Sequence, residues 1–75
     1  MNVQEFIENF AEAIDIEATE LTAETEFRTL DEWDSVAYIS VIAMMDDVYD
    51  IQIEMPTFKT LDTIGAIAEY IENHK

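Results

Sequence analysis

The chain has 75 residues, with three basic side chains against eighteen acidic ones, one glycine, one proline and no cysteine. At that length there is room for one domain over 1–75, which buries only about 60% of the surface its unfolded form exposes. No cysteine and one histidine rule out disulfides and a structural zinc as staples, so packed helices must hold the fold. The scarcity of glycine and proline also argues against a small all-β fold, which needs many special turn residues.

The net charge of −15 would suit a disordered acidic segment, but 49% apolar residues argue for a folded acidic domain. Nucleic acid and anionic membrane surfaces are poor partners for it, because each presents phosphates that repel carboxylates. Basic protein surfaces are the natural ones, approached by long-range steering. The N-terminus lacks the basic n-region of a signal peptide, and no apolar run nears the roughly 20 residues of a membrane span. The expected location is the cytoplasm, without stable membrane insertion.

Val3, Phe6, Ile7, Phe10, Ala11 and Ile14 recur at helical spacing and predict a first helix over about 2–14. Its acidic outer residues, Glu5, Glu8 and Glu12, read as a solvated face. Residues 15–33 lose the period, and Ile16, Leu21, Phe27, Leu30 and Trp33 come singly. That pattern predicts a long connector pinned to the core by isolated anchors, a length that is uncommon unless functional. Asp34-Ser35 then precedes Val36, Ile39, Ile42, Met45, Val48 and Tyr49, which predicts a second helix over about 35–49 with an oxygen-bearing cap. Asp46, Asp47 and Asp50 near its C-terminal end oppose the helix dipole, so a partner explains them better than local stability. Residues 51–55 alternate but have no strand to pair with, and are expected as an extended loop burying Ile53. Thr57–Leu61 suits one short helical turn. Thr63 caps a last helix over 63–73, burying Ile64, Ile67, Ala68 and Ile71, with Gly65 in the first turn where its low propensity costs least. The pattern is all-α: a small helical bundle with a long first connector.

Enzymatic chemistry finds little to work with. There is no cysteine nucleophile, and His74 sits in a terminal segment expected to fray, which leaves a Ser-His-Asp arrangement without a held base. Asp46-Asp47-Val48-Tyr49-Asp50 puts valine and isoleucine where a calcium loop wants a ligand and a glycine, so no metal ligands are assigned. One glycine cannot make a phosphate-binding loop. Asp34-Ser35-Val36 remains, and taken alone it could simply start a helix.

Its context makes it more. Asp34-Ser35-Val36 follows a long connector in an acidic chain of this length, with an amphipathic helix behind it and two shorter ones after. In this the sequence resembles the acyl carrier protein family, including its aminoacyl and peptidyl carrier relatives. Those proteins carry Asp-Ser-Leu, or the variants with Met, Ile or Val, at the start of the second helix of a four-helix bundle with a short third helix. Phe27 matches the buried connector aromatic, Ile53 the apolar residue after helix two, and Thr63-Ile64-Gly65 the opening of the last helix. Glu32-Trp33 stands where the housekeeping fatty-acid carrier usually has a glycine, and Ser40 replaces a common acidic residue. Both departures point toward a specialised pathway carrier.

The resemblance implies that Ser35 bears 4′-phosphopantetheine derived from coenzyme A, flanked by Asp34 and Val36. The protein would then be a non-catalytic, monomeric carrier of acyl or aminoacyl thioesters. Its partners would be a phosphopantetheinyl transferase, a loading ligase, and downstream transferases or synthases with basic docking surfaces. Asp46 and Asp47 would be read by those partners, with Tyr38 beside the site. Phe27, Ile39, Ile42, Met45, Ile53, Leu61 and Ile67 would be core residues able to open around an acyl chain. The competing reading is a cofactor-free acidic helical module, an inhibitor or adaptor that binds a basic protein. In that reading Ser35 is only a helix cap, whose loss costs about 1 kcal/mol.

Overall fold

The computed structural model describes residues 2–74. Among them are four α-helices, α1 (Val3–Ala13), α2 (Ser35–Tyr49), α3 (Met55–Phe58) and α4 (Ile64–Asn73), two 3-10 turns (Ala18–Glu20 and Phe27–Thr29), and no strand. Helix α1 packs on both α2 and α4. Phe6, Phe10, Phe27, Phe58, Val41, Met45, Ile64, Ile67 and Ile71 are fully enclosed between them.

Each long helix starts on a side-chain cap. Asn2 Oδ1 accepts from the N–H groups of Gln4 (2.8 Å) and Glu5 (3.3 Å), Asp34 Oδ1 from Ala37 (2.8 Å), and Thr63 Oγ1 from Ala66 (3.1 Å). These bonds satisfy first-turn donors that have no acceptor inside the helix. The ends of α1 and α2 use aspartate where glycine is common. Asp15 (φ 62°) and Asp50 (φ 54°) both take the left-handed conformation, which aspartate tolerates better than most residues. Around Asp15 the N–H of Ile16 bonds to Ala11 O and that of Asp15 to Glu12 O, closing α1 in a Schellman motif. Asp50 therefore has a local reason to be there, apart from any partner.

The connector is pinned as expected. Leu21 and Phe27 are buried, and Ile16, Leu30 and Trp33 pack partly buried against the core. Its middle does a job the sequence pattern did not announce: it closes the N-terminus of α4. Ile64 N–H donates to Thr25 O (3.2 Å) and Gly65 N–H to Ala23 O (2.7 Å). A Cβ built on Gly65 would lie 2.8 Å from Ala23 O, so this glycine is required by a backbone approach rather than merely tolerated. Gly65→Ala gains about 1 kcal/mol of helix propensity but overpacks the contact by about 1–3 kcal/mol. We expect a net loss near 1 kcal/mol, read as a fall of roughly 5 °C in the thermal midpoint; a rise would show that the connector yields freely.

Two expectations need correction. The short third helix is Met55–Phe58 rather than Thr57–Leu61, because Pro56 fits the first turn, where its missing N–H costs nothing. The buried stripe of α2 is Ala37, Val41 and Met45, which shares only Met45 with the expected series of Val36, Ile39, Ile42, Met45, Val48 and Tyr49. Val36 is 67% exposed, Ile39 63% and Val48 51%, while Ile42 is half-buried. Apolar residues occupy most of the circumference of α2, so an i, i+3 count has no unique phase. The side that approaches α1 was free to fall on the series containing the small Ala37.

Candidate functional site

The site is built on how the chain enters α2. Asp34 is extended (φ −149°, ψ −172°) and caps the helix, which makes Ser35 the first helical residue rather than the cap. Ser35 and Val36 are both exposed. Asp34 takes the N–H of Ala37, while helix geometry gives the N–H groups of Ser35 and Val36 no intrahelical acceptor. An anion carried on the Ser35 hydroxyl would meet those donors and the positive end of the helix dipole.

This exposed corner stands on an aromatic base. Trp33, two residues before Ser35, stacks between Phe10 (6.1 Å, 5°) and Phe58 (6.3 Å, 15°), with Phe27 edge-on at 4.8 Å. Tyr38, three residues after Ser35, meets the same Phe58 edge-on at 5.2 Å. The two aromatic residues that flank Ser35 thus both contact the Phe58 ring of α3. Trp33 is a connector anchor.

On one side of α2, Tyr38, Ile39, Ile42, Ala43 and Ile53 line an open groove of about 410 Å³, a size at the small end of small-molecule sites. The groove begins one turn along α2 from Ser35, and Asp46, Gln52 and Glu54 rim its far end. On the other side a shallow depression holds Asp15, Glu32 and Asp34 around Val36 and Ser40. The surroundings of Ser35 are strongly acidic. A larger groove, lined by Val3, Ala23, Gly65, Ala66, Glu69 and Glu72 among others, contains none of these residues.

The residues proposed from sequence divide by depth. Phe27, Met45, Ile53 and Ile67 are buried, Ile42 and Leu61 are partly buried against the core, and Ile39 lies outside it. Only Ile39, Ile42 and Ile53 of that set line the groove. Asp46 and Asp47 are exposed, with Asp46 Oδ1 accepting from Gln52 Nε2 (3.4 Å). His74 stacks on the Tyr70 ring at 3.9 Å. Two contributors escaped the sequence pattern. Phe58, in a segment too short to show a period, joins Trp33 to Tyr38. Arg28, one of three basic residues in the chain, reaches α3 from the connector; its rarity was the signal available.

Residues 4–71 match the phosphopantetheine attachment site family. Acyl carrier proteins of Streptococcus pyogenes serotypes M1 and M3 are 41% identical over 70 residues, covering 93% of this chain and 86% of theirs. That of Streptococcus thermophilus is 40% identical over the same coverage. The family's cofactor is covalently attached 4′-phosphopantetheine, and its members are carriers rather than catalysts. The chain belongs to the acyl carrier protein family.

Proposed function

We propose that Ser35 is the attachment residue and that the protein presents acyl or aminoacyl thioesters to pathway enzymes. The observation that carries this is the exposed Ser35 at the first position of α2, between two aromatic residues seated on Phe58. In the modification, Ser35 Oγ forms a bond to the phosphorus next to pantetheine in coenzyme A. The pyrophosphate bond breaks, 3′,5′-ADP leaves, and the hydroxyl proton passes to a base of the transferase. Asp34 holds the helix start in place for this, and the first-turn donors of Ser35 and Val36 accommodate the phosphodiester. Once attached, the arm supplies a thiol that holds the cargo as a thioester. Tethering then replaces diffusion with a high effective concentration at each partner.

Val36, Ile39, Asp46 and Asp47 are all exposed on α2 and form the proposed docking face, with Tyr38 at its edge. Carboxylates steer a basic enzyme in, and the apolar side chains are covered on contact. The groove of Tyr38, Ile39, Ile42 and Ile53 is the proposed resting place of the arm or of a cargo chain. The departures at Glu32-Trp33 and Ser40 support a specialised pathway role, with Trp33 anchored on Phe10 and Phe58. The cytoplasm is the proposed location; no helix among the described residues is long and apolar enough to cross a membrane.

The deciding experiment is intact mass before and after incubation with coenzyme A, magnesium and a broad-specificity phosphopantetheinyl transferase. One added phosphopantetheine per chain is expected. A folded chain that gains nothing from two unrelated transferases would sink the reading.

A further inference from the structure

Helix α3 is four residues long, far below the length at which a helix persists by itself. It is nevertheless the seat of Phe58, on which both Trp33 and Tyr38 rest. What keeps it in place comes from the connector. Arg28 Nη2 donates to Phe58 O (2.7 Å), and Nη1 to Leu61 O (3.0 Å) and Asp62 Oδ1 (3.4 Å). The guanidinium also lies over the Phe27 ring at 4.8 Å and the Phe58 ring at 5.2 Å. One planar group thus holds two backbone carbonyls and a carboxylate at the C-terminal end of α3 and covers two core rings. A lysine offers a point charge and cannot reproduce that fork.

We propose that Arg28 is a positioning residue of the carrier: it latches α3 in place and thereby holds Phe58, on which Tyr38 rests as one wall of the open groove with Ile42 and Ile53 where the thioester would lie. The cargo half of this inference rests on the carrier reading above. The route is short and continuous, from Arg28 to Phe58, from Phe58 to Tyr38, and from Tyr38 to the groove wall one turn from Ser35. The charge alone does not explain the arrangement. In a chain of net charge −15 an arginine anywhere on the surface would relieve repulsion, whereas this one places its two shortest bonds on backbone carbonyls.

The test compares the parent with Arg28→Lys and Arg28→Gln. Amide exchange at Lys59, Thr60 and Leu61, which close the α3 turn, should accelerate about tenfold in both variants, the scale of one lost charge-assisted hydrogen bond. Amides in the core of α1 and α4 should change much less. On fully modified protein, verified by intact mass and loaded with an octanoyl group, both variants should hydrolyse the thioester several-fold faster than the parent. A lysine variant that matches the parent in α3 exchange would mean that charge suffices and would overturn the latch. Acceleration spread evenly over all helices would overturn it too, as plain loss of stability. Faster α3 exchange with an unchanged thioester lifetime would refute the cargo role. If the parent takes up no arm, the carrier reading and the cargo half fail together, and the exchange pattern still decides the latch.

Discussion

Replacing Ser35 by alanine is expected to abolish phosphopantetheine transfer and to leave the thermal midpoint within about 3 °C of the parent. Both halves follow from the cap geometry. The oxygen that satisfies the helix start belongs to Asp34, which accepts from Ala37 N–H at 2.8 Å, and Ser35 is an exposed first-turn residue. Asp34→Ala should therefore cost about 1 kcal/mol, a fall of roughly 5 °C, while still leaving a hydroxyl to modify. The pair separates chemistry from stability, by intact mass on one side and thermal unfolding on the other. The cofactor-free alternative predicts that Ser35→Ala binds its basic partner as the parent does. A Ser35→Ala chain that still gained the arm would move the attachment to another hydroxyl and overturn the site assignment.

Phe27→Ala should have the largest effect on the fold. Phe27 is fully buried and touches Phe10 at 5.7 Å, Trp33 at 4.8 Å, Phe58 at 5.6 Å and the Arg28 guanidinium. Truncating a buried phenylalanine costs about 3–5 kcal/mol, and a domain of this size has little more than that in reserve. The alanine variant is expected to be largely unfolded at room temperature by circular dichroism, with its transition displaced to the bottom of a urea titration. Phe27→Leu keeps much of the volume and should remain folded with a lowered midpoint. In that variant the fluorescence of Trp33, the only tryptophan, should shift as its stacking loosens. A loss below about 1 kcal/mol for Phe27→Ala would mean that the cluster collapses around the gap and that Trp33 and Tyr38 do not depend on it.

High salt modulates these numbers without changing their order, since the chain's −15 charge opposes the compact state and exposed charges are screened within about 10 Å at 0.1 M. Comparisons between variants therefore belong at one ionic strength. Arg28 variants need particular care here, because the glutamine variant changes net charge and the lysine variant does not.

What could be read along the chain was whatever local chemistry repeats or punctuates. The first and last helices announced themselves because their apolar residues fall on one stripe, and both end up buried on that stripe apart from Val3, which is 42% exposed. Asp34-Ser35 and Thr63 announced helix starts because a short oxygen-bearing side chain at that point has a local use. The isolated anchors Leu21, Phe27 and Trp33 stood out because nothing polar-facing explains them. Tertiary structure decided the rest. The rotation of α2 about its axis, which leaves Val36 and Ile39 outside, was open because that helix is apolar nearly all round and only the approach of α1 selects Ala37, Val41 and Met45. Gly65 looked like a cheap glycine until Ala23 O came within 2.7 Å of its nitrogen. Helix α3 is too short to carry a period, and the groups that hold it, Arg28 and the Trp33–Phe58–Tyr38 stack, come from residues 20 to 34 positions apart in the chain. A linear pattern carries no information about contacts of that separation, because their energy exists only once the chain has already brought the partners together.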